Sequence, residues 1–369
     1  MVSAKASLKL SETEYISHLV SFPEYVITGL TDGSILSVPV TLESKLTTIS
    51  KPITGQQAPL ANLLALPTIP HSFISCDTKG KLKIHDVRQK SSQVSAVETG
   101  LAVTACGVSN FGHVAVGTEA SPDAQIHVFD VRKLQTGTKD SSDTIVKYVD
   151  SHNDDVTDLQ FHPTQKNLLA SGSTDGVVNL FDLKISNEDD AVVEAFNHQA
   201  SIHRTGFFIN ESITSLQISE KTPNLGKLFA LSHMETLTVY PLFDEDNKEK
   251  LEEFGDLREA WKCQYVCDFQ KQHFLIGSND ENWAKLVPII DNSPGDGIIL
   301  EGGHGSDVIR CFDIWNLSKS CFTGGEDGCV KLWDLTGDFD QVSKFAKSVS
   351  KEKKHKGGKA VKKSKRAPY

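Results

Sequence analysis

The stretch Gly324–Asp334, GGEDGCVKLWD, is one of seven related stretches, and their spacing constrains the fold more than any other feature of the chain. Ser171–Asp182 reads SGSTDGVVNLFD, Val116–Asp130 VGTEASPDAQIHVFD, Ser75–Asp86 SCDTKGKLKIHD and Ile27–Val38 ITGLTDGSILSV. Weaker copies cover Leu228–Pro241 and Phe274–Pro288. Each is a short apolar run, a turn of the Gly and Asp type, and a run that alternates apolar and polar residues. That is the pattern of a β-hairpin closed by a tight turn. Aligned on Trp333, the copies give Val38, His85, Phe129, Phe181, Tyr240 and Val287, at intervals of 47, 44, 52, 59, 47 and 46 residues. Each unit has room for four short strands and cannot bury its faces alone, so it must stack on its neighbours.

Seven such units predict an all-β fold: a seven-bladed β-propeller over residues 1–342, followed by a short disordered basic tail over 343–369. A chain of 369 residues can bury such a core without disulfides or metal. The alternating KASLKL, residues 5–10, is expected to complete the last blade and so remove an exposed sheet edge.

The upstream half of the unit adds a polar motif. His304 stands 29 residues before Trp333 and His152 stands 29 before Phe181, each opening a His-x-x-Asp-Val stretch ahead of an alternating strand. These residues resemble the WD-repeat family. The resemblance implies a hydrogen-bonded tetrad inside a blade, formed by His304, Thr323, Asp327 and Trp333 in blade seven. In blade four it implies His152, Ser171 and Asp175, with Phe181 unable to supply the indole N–H. Blades one, two, five and six depart further. On this reading Asp327 holds a turn and performs no chemistry. Five segments, among them SIHRTGFF (201–208) and ALSHMETLTVY (230–240), resemble one subgroup within that family.

Charge is unevenly distributed. Residues 351–366 hold nine Lys/Arg and one Glu, a net of +8, which leaves −18 on the remainder because the chain's formal net charge is −10. Two acidic segments stand out, 187–195 and 243–259, the latter with eight acidic and three basic residues. Asp244, Glu245, Asp246, Glu249, Glu252 and Glu253 are therefore candidate docking residues for a basic protein such as a ribosomal protein or histone. Lys362, Lys363, Lys365 and Arg366 fit a nuclear-import sequence. They predict a nuclear protein, extending to the nucleolus and in part to the cytoplasm.

Two other functions are open. HDVR (85–88) and FDVR (129–132) resemble the box by which some family members engage a ligase adaptor, without its Trp. Arg88 and Arg132 would then mark a substrate receptor of a cullin-type ubiquitin ligase. The tail could alternatively bind RNA directly.

Catalytic signatures are missing: the sequence has no G-x-S-x-G, P-loop, G-x-G-x-x-G or H-E-x-x-H. No cofactor or metal is expected, and the thirteen histidines show no ligand spacing. Seven scattered cysteines and an N-terminus without an apolar h-region predict reduced thiols in an intracellular compartment, and no apolar run predicts a membrane span. The expectation is a non-enzymatic protein-interaction scaffold, a monomer within a larger complex, whose nucleic-acid contacts, if any, go through the tail.

Overall fold

The fold was obtained as a computed structural model that describes residues 1–41, 46, 50–53, 58–88, 93–135, 144–209, 226–242, 251–290, 293–315 and 319–336. Blade one comprises Ile16–Ser21, Tyr25–Leu30, Ile35–Pro39 and Ser50–Ile53; blade two Leu60–Ala65, Ser72–Asp77, Lys81–Asp86 and Gln93–Glu98. Blade three comprises Val103–Val108, His113–Thr118, Ile126–Asp130 and Thr144–Tyr148; blade four Val156–Phe161, Leu168–Ser173, Val177–Asp182 and Val192–Asn197. Blade five comprises Ile202–Phe208, Lys227–Ser232, Thr236–Pro241 and Glu252–Asp256; blade six Tyr265–Gln270, His273–Ser278, Trp283–Ile290 and Ile298–Glu301. Blade seven takes Ile309–Trp315, Ser320–Gly325 and Cys329–Asp334 from the end of the repeat region, and its fourth strand, Val2–Lys9, from the beginning of the chain. The architecture is a seven-bladed propeller. All seven aligned positions, from Val38 to Trp333, fall on the third strand of their blades.

The tight turns between second and third strands follow from their residues. Gly33, Gly80, Gly176 and Gly328 all have positive φ, a conformation that costs a side-chain-bearing residue roughly 1–2 kcal/mol. At Gly328 space is also decisive, because a Cβ there would lie 2.2 Å from the Ser11 carbonyl oxygen.

Apolar burial lies between blades. Among the described residues there are seven apolar clusters, one at each joint. Trp333, Phe312 and Leu300, for example, join blades six and seven, and Ile16, Val26, Phe322 and Leu332 join blades seven and one. The innermost strands of neighbouring blades do not pair by backbone, so their polar groups need other partners. Side chains supply them. Asn62 Nδ2 donates to the Cys106 carbonyl (2.9 Å), and Thr104 Oγ1 to that of Val156 (2.6 Å). Thr157 Oγ1 donates to the Ile202 carbonyl (2.8 Å), Gln272 Nε2 to that of Phe207 (2.9 Å), and the Ile309 N–H to the Tyr265 hydroxyl (3.1 Å).

The joint between blades seven and one carries the densest of these ties. Asp313 accepts from Lys271 Nζ (2.7 Å) on the blade-six side and from Ser21 N–H (2.8 Å) and Oγ (2.7 Å) on blade one. Lys271 and Gln272 are consecutive non-glycine residues at φ 48° and 61°. Their side chains, clasping blade seven and blade five respectively, hold this otherwise unfavourable turn.

The closing strand differs from expectation in its bounds. It spans Val2–Lys9 rather than 5–10, pairs antiparallel with the third strand of blade seven (Ala6 with Leu332, Leu8 with Val330), and meets blade six in parallel at Val2 and Leu300. Ala6, Leu8 and Leu10 pack on the joint cluster, which explains the alternation. Deleting residues 1–9 should therefore strip the outer edge of blade seven, lowering the melting temperature and causing association visible by light scattering. A monodisperse truncation with an unchanged melting temperature would contradict this account of closure.

Candidate interaction surfaces

Within blade seven the polar residues form one directed chain. Trp333 Nε1 donates to Thr323 Oγ1 (2.9 Å), Thr323 Oγ1 lies 2.8 Å from His304 Nε2, and His304 Nδ1 lies 2.8 Å from Asp327 Oδ1. An ionised carboxylate only accepts, so Nδ1 carries the proton toward Asp327. In the neutral tautomer Nε2 then accepts from the threonine hydroxyl, which itself accepts from the indole. Every member is satisfied, the condition under which a buried polar network stabilises. Burial pushes the Asp327 carboxyl up, but the hydrogen bonds from His304 and the Cys329 N–H outweigh it and hold the pKa below its usual range.

Blade four carries the same chain without its last member. His152 Nε2 lies 2.6 Å from Ser171 Oγ and Nδ1 lies 3.1 Å from Asp175 Oδ2, while Phe181 stacks on Tyr148 at 4.7 Å instead of donating. Two variants of the pairing were not read from the sequence. In blade two His85, which the sequence aligns with Trp333, stacks on Phe73 at 4.5 Å and sits 2.9 Å from Ser75 Oγ through Nε2, so an imidazole replaces the indole. In blade five His198 precedes the first strand by four residues, as His152 does, but Ala230 replaces the hydroxyl and His198 Nε2 pairs with Thr236 Oγ1 (3.0 Å).

The other candidates scatter over the ring. Arg88 Nη2 pairs with Asp86 Oδ2 (2.7 Å), and Arg132 Nε with Asp130 Oδ1 (3.0 Å). Both sit just after the third strands of adjacent blades, with their side chains 59% and 87% exposed. A third Asp-x-Arg pair, Asp256 and Arg258, opens the short helix Leu257–Trp261 and was not singled out from the sequence.

The acidic segments are not loops throughout: 187–195 runs into the fourth strand of blade four at Val192, and 243–259 contains the fourth strand of blade five. Glu188 in the first is committed to structure, accepting from the Val149 and Asp150 N–H groups at 2.7 and 2.8 Å. In the second, Glu252 pairs with Lys227 (2.7 Å), whereas Glu253 is exposed. Asp244, Glu245, Asp246, Glu249 and the tail residues Lys362, Lys363, Lys365 and Arg366 lie outside the described residues.

The innermost strands enclose a polar cavity of about 500 Å³. Arg204 crosses it between Asp268 (3.0 Å) and Asp158 (3.9 Å). Burial pushes the Asp158 carboxyl up despite Arg204 and the Thr205 N–H. The cysteines are free; six are buried and Cys329 is half-buried, and burial raises the thiol pKa of Cys263 and Cys267, the CxxxC pair. Among the described residues no His, Cys, Asp and Glu cluster fits a metal ion.

The family model described as WD domain, G-beta repeat, matches residues 143–182 and 298–334, the two blades with the His-to-Asp chain. An uncharacterized WD repeat-containing protein of Saccharomyces cerevisiae is 38% identical over 240 residues, 61% of this chain and 54% of its own length. The chain thus spans about half of that relative. WD repeat-containing protein GTS1 of Arabidopsis thaliana is 26% identical over 365 residues, 90% of this chain and 86% of its own. The subgroup resembled by ALSHMETLTVY is that of WD repeat-containing protein 89, whose Dictyostelium discoideum homolog is 30% identical over 224 residues, 57% of each chain.

Replacing Asp327 with Ala should destabilise the fold by roughly 1–3 kcal/mol, because buried donors lose their acceptor. The sign with pH follows from the depressed carboxyl pKa. This stabilisation is present above the unfolded-state pKa and is lost as pH falls through the folded one. Denaturant unfolding of both proteins should show a gap at pH 7 that narrows below about pH 4; equal stabilities at pH 7 would refute the role given to Asp327.

Proposed function

This chain belongs to the WD-repeat family, whose members are typically protein-interaction scaffolds, and from that premise we propose that it is a non-enzymatic nuclear adaptor or chaperone-like factor for a basic protein partner. The observation that carries the reading is charge segregation: residues 351–366 carry a net of +8 and the remainder of the chain −18. Residues 243–259 alone contribute −5, and Glu253 is exposed among them. Such a surface steers cationic partners to it and repels phosphate backbones. Exposed ion pairs add only about 0–1 kcal/mol each, so affinity must also draw on a buried anchor. The basic tail supplies the address in this reading. Its removal should shift a large fusion protein from nucleus to cytoplasm, and unchanged import would refute it.

One observation favours a second reading, a ligase receptor. Arg88 and Arg132 are both exposed and each is held in a fixed orientation by its own Asp. A single comparison separates the readings. Affinity purification from cells would use the wild type, a variant with Asp244, Glu245, Asp246, Glu249 and Glu253 changed to amides, and an Arg88→Ala/Arg132→Ala variant. Glu252 is left to its ion pair with Lys227. The adaptor reading predicts that basic proteins disappear from the first variant only, and that their association slows as salt rises above ~0.15 M. If the first variant keeps every partner while the second loses a ligase adaptor, the receptor reading replaces it.

A further inference from the structure

The turn between the second and third strands of blade five departs from those of four other blades, and shares a left-handed non-glycine residue only with blade six, where Asn282 stands at φ 52°. Blades one, two, four and seven place Gly33, Gly80, Gly176 and Gly328 at positive φ. In three of them the turn glycine's carbonyl accepts from a backbone N–H that follows the outer strand: Thr99 to Gly80, His198 to Gly176 and Leu10 to Gly328, at 2.8–3.0 Å. In blade five the same bond runs from Leu257 to Glu235 (2.9 Å), so Glu235 holds the glycine position, at φ 60°. The helix Leu257–Trp261 replaces the close loop found at Gly80 and Gly328, where a Cβ would clash. One residue earlier, where blades four and seven have Asp175 and Asp327, stands Met234, 61% exposed.

These choices cost stability, and the bond of Glu235 to the Val266 backbone uses only part of its carboxylate. A left-handed glutamate is strained by roughly 1–2 kcal/mol. An exposed methionine replaces a turn-forming aspartate. Two buried acceptors are also left over: Glu235 Oε2 and His203 Nε2 have no hydrogen-bond partner among the described residues. His203 lies edge-on to His233 at 5.1 Å, and His233 is two residues before Glu235. Both unpaired groups lean on the innermost strand of blade six at consecutive residues, Glu235 on Val266 and His203 on Cys267. Burial pushes His203 down to about 4, and its ring donates to the Cys267 backbone, so at neutral pH the free nitrogen carries a lone pair. The nearby Arg258 donates through Nη2 to Asp256 at 2.7 Å; its charge acts on Glu235 as well, but burial outweighs it and the carboxyl is pushed up. Unpaired buried acceptors beside an adaptable thioether call for a ligand with several N–H donors, positive charge and an apolar neighbour.

We propose that the top of blade five is the docking site for a basic polypeptide segment, with an Arg or Lys side chain entering against Glu235 and His203 and an adjoining apolar residue covering Met234. This deepens the adaptor reading and rests on it, but names a different surface from the acidic segment at 243–250.

The chain contains only two methionines, Met1 and Met234, so methyl-labelled methionine gives a two-signal NMR reporter. The probe is a synthetic peptide alternating Arg and Leu, with a Glu–Leu peptide as control. Titration of the full chain should move the Met234 methyl signal with the first peptide and leave it with the second. The variant Met234→Asp/Glu235→Gly restores the turn of blades four and seven. It should melt at the same or a higher temperature and yet bind the fluorescent Arg–Leu peptide roughly tenfold more weakly. Suppose the peptide binds, the Met234 signal stays still, the turn variant keeps its affinity, and only the amide variant of the 243–253 acids loses it. The site is then wrong and the adaptor reading survives. If wild type does not bind the Arg–Leu peptide at all, both fall.

Discussion

Seven blades in a row have six joints that chain connectivity supplies and one that it does not. The free-energy cost of bringing the two ends together is paid at that seventh joint, and every other interface benefits only once it is closed. Here closure is double. The strand Val2–Lys9 completes the outer side of blade seven by backbone pairing with Cys329–Asp334. On the inner side Asp313 ties Ser21 to Lys271, so that blades six, seven and one share a single carboxylate. Between these two layers lies an apolar cluster from Ile16 to Leu332. The arrangement removes the exposed edge that an open β-sheet would present to other chains.

The polar chains inside blades four and seven serve this ring rather than any reaction. They fix the loop preceding a blade to its own central turn, His304 to Asp327 and His152 to Asp175, so that the upper surface is rigid. Rigid loops lower the entropic cost of holding a partner. Blade five keeps the histidine of this device, His198, but not the serine or the turn aspartate. Its upper surface is where the basic segment is proposed to dock. The polar cavity at the centre is different, because Arg204 is already matched by Asp158 and Asp268.

Much of this was legible in the sequence. Period and alternation placed all seven third strands, because side-chain direction alternates along any half-buried strand. The spacing from His304 to Trp333 located the turn and its cap. What escaped was whatever depends on residues far apart in the chain. Ser21 and Asp313 are 292 residues apart, and nothing local to either announces the other. Likewise Glu252 reads as one acid in a charged run until Lys227 is seen 2.7 Å away. The bonds of His85 to Ser75 and of His198 to Thr236 were missed because each fills a familiar position with an unfamiliar partner. The significance of Met234 and Glu235 emerged only when four other turns could be laid over theirs.

The account stands or falls on closure, and hydrogen–deuterium exchange across the joint measures it most directly. Val2–Lys9 is the outer strand of a blade, as Gln93–Glu98 and Val192–Asn197 are of theirs. If it seals the ring, the backbone amides that it and Cys329–Asp334 exchange in pairing will be protected to the same degree as those of the two comparison strands. Exchange of Val2–Lys9 orders of magnitude faster than either, with the rest of blade seven still protected, would mean that the ring is held shut without it.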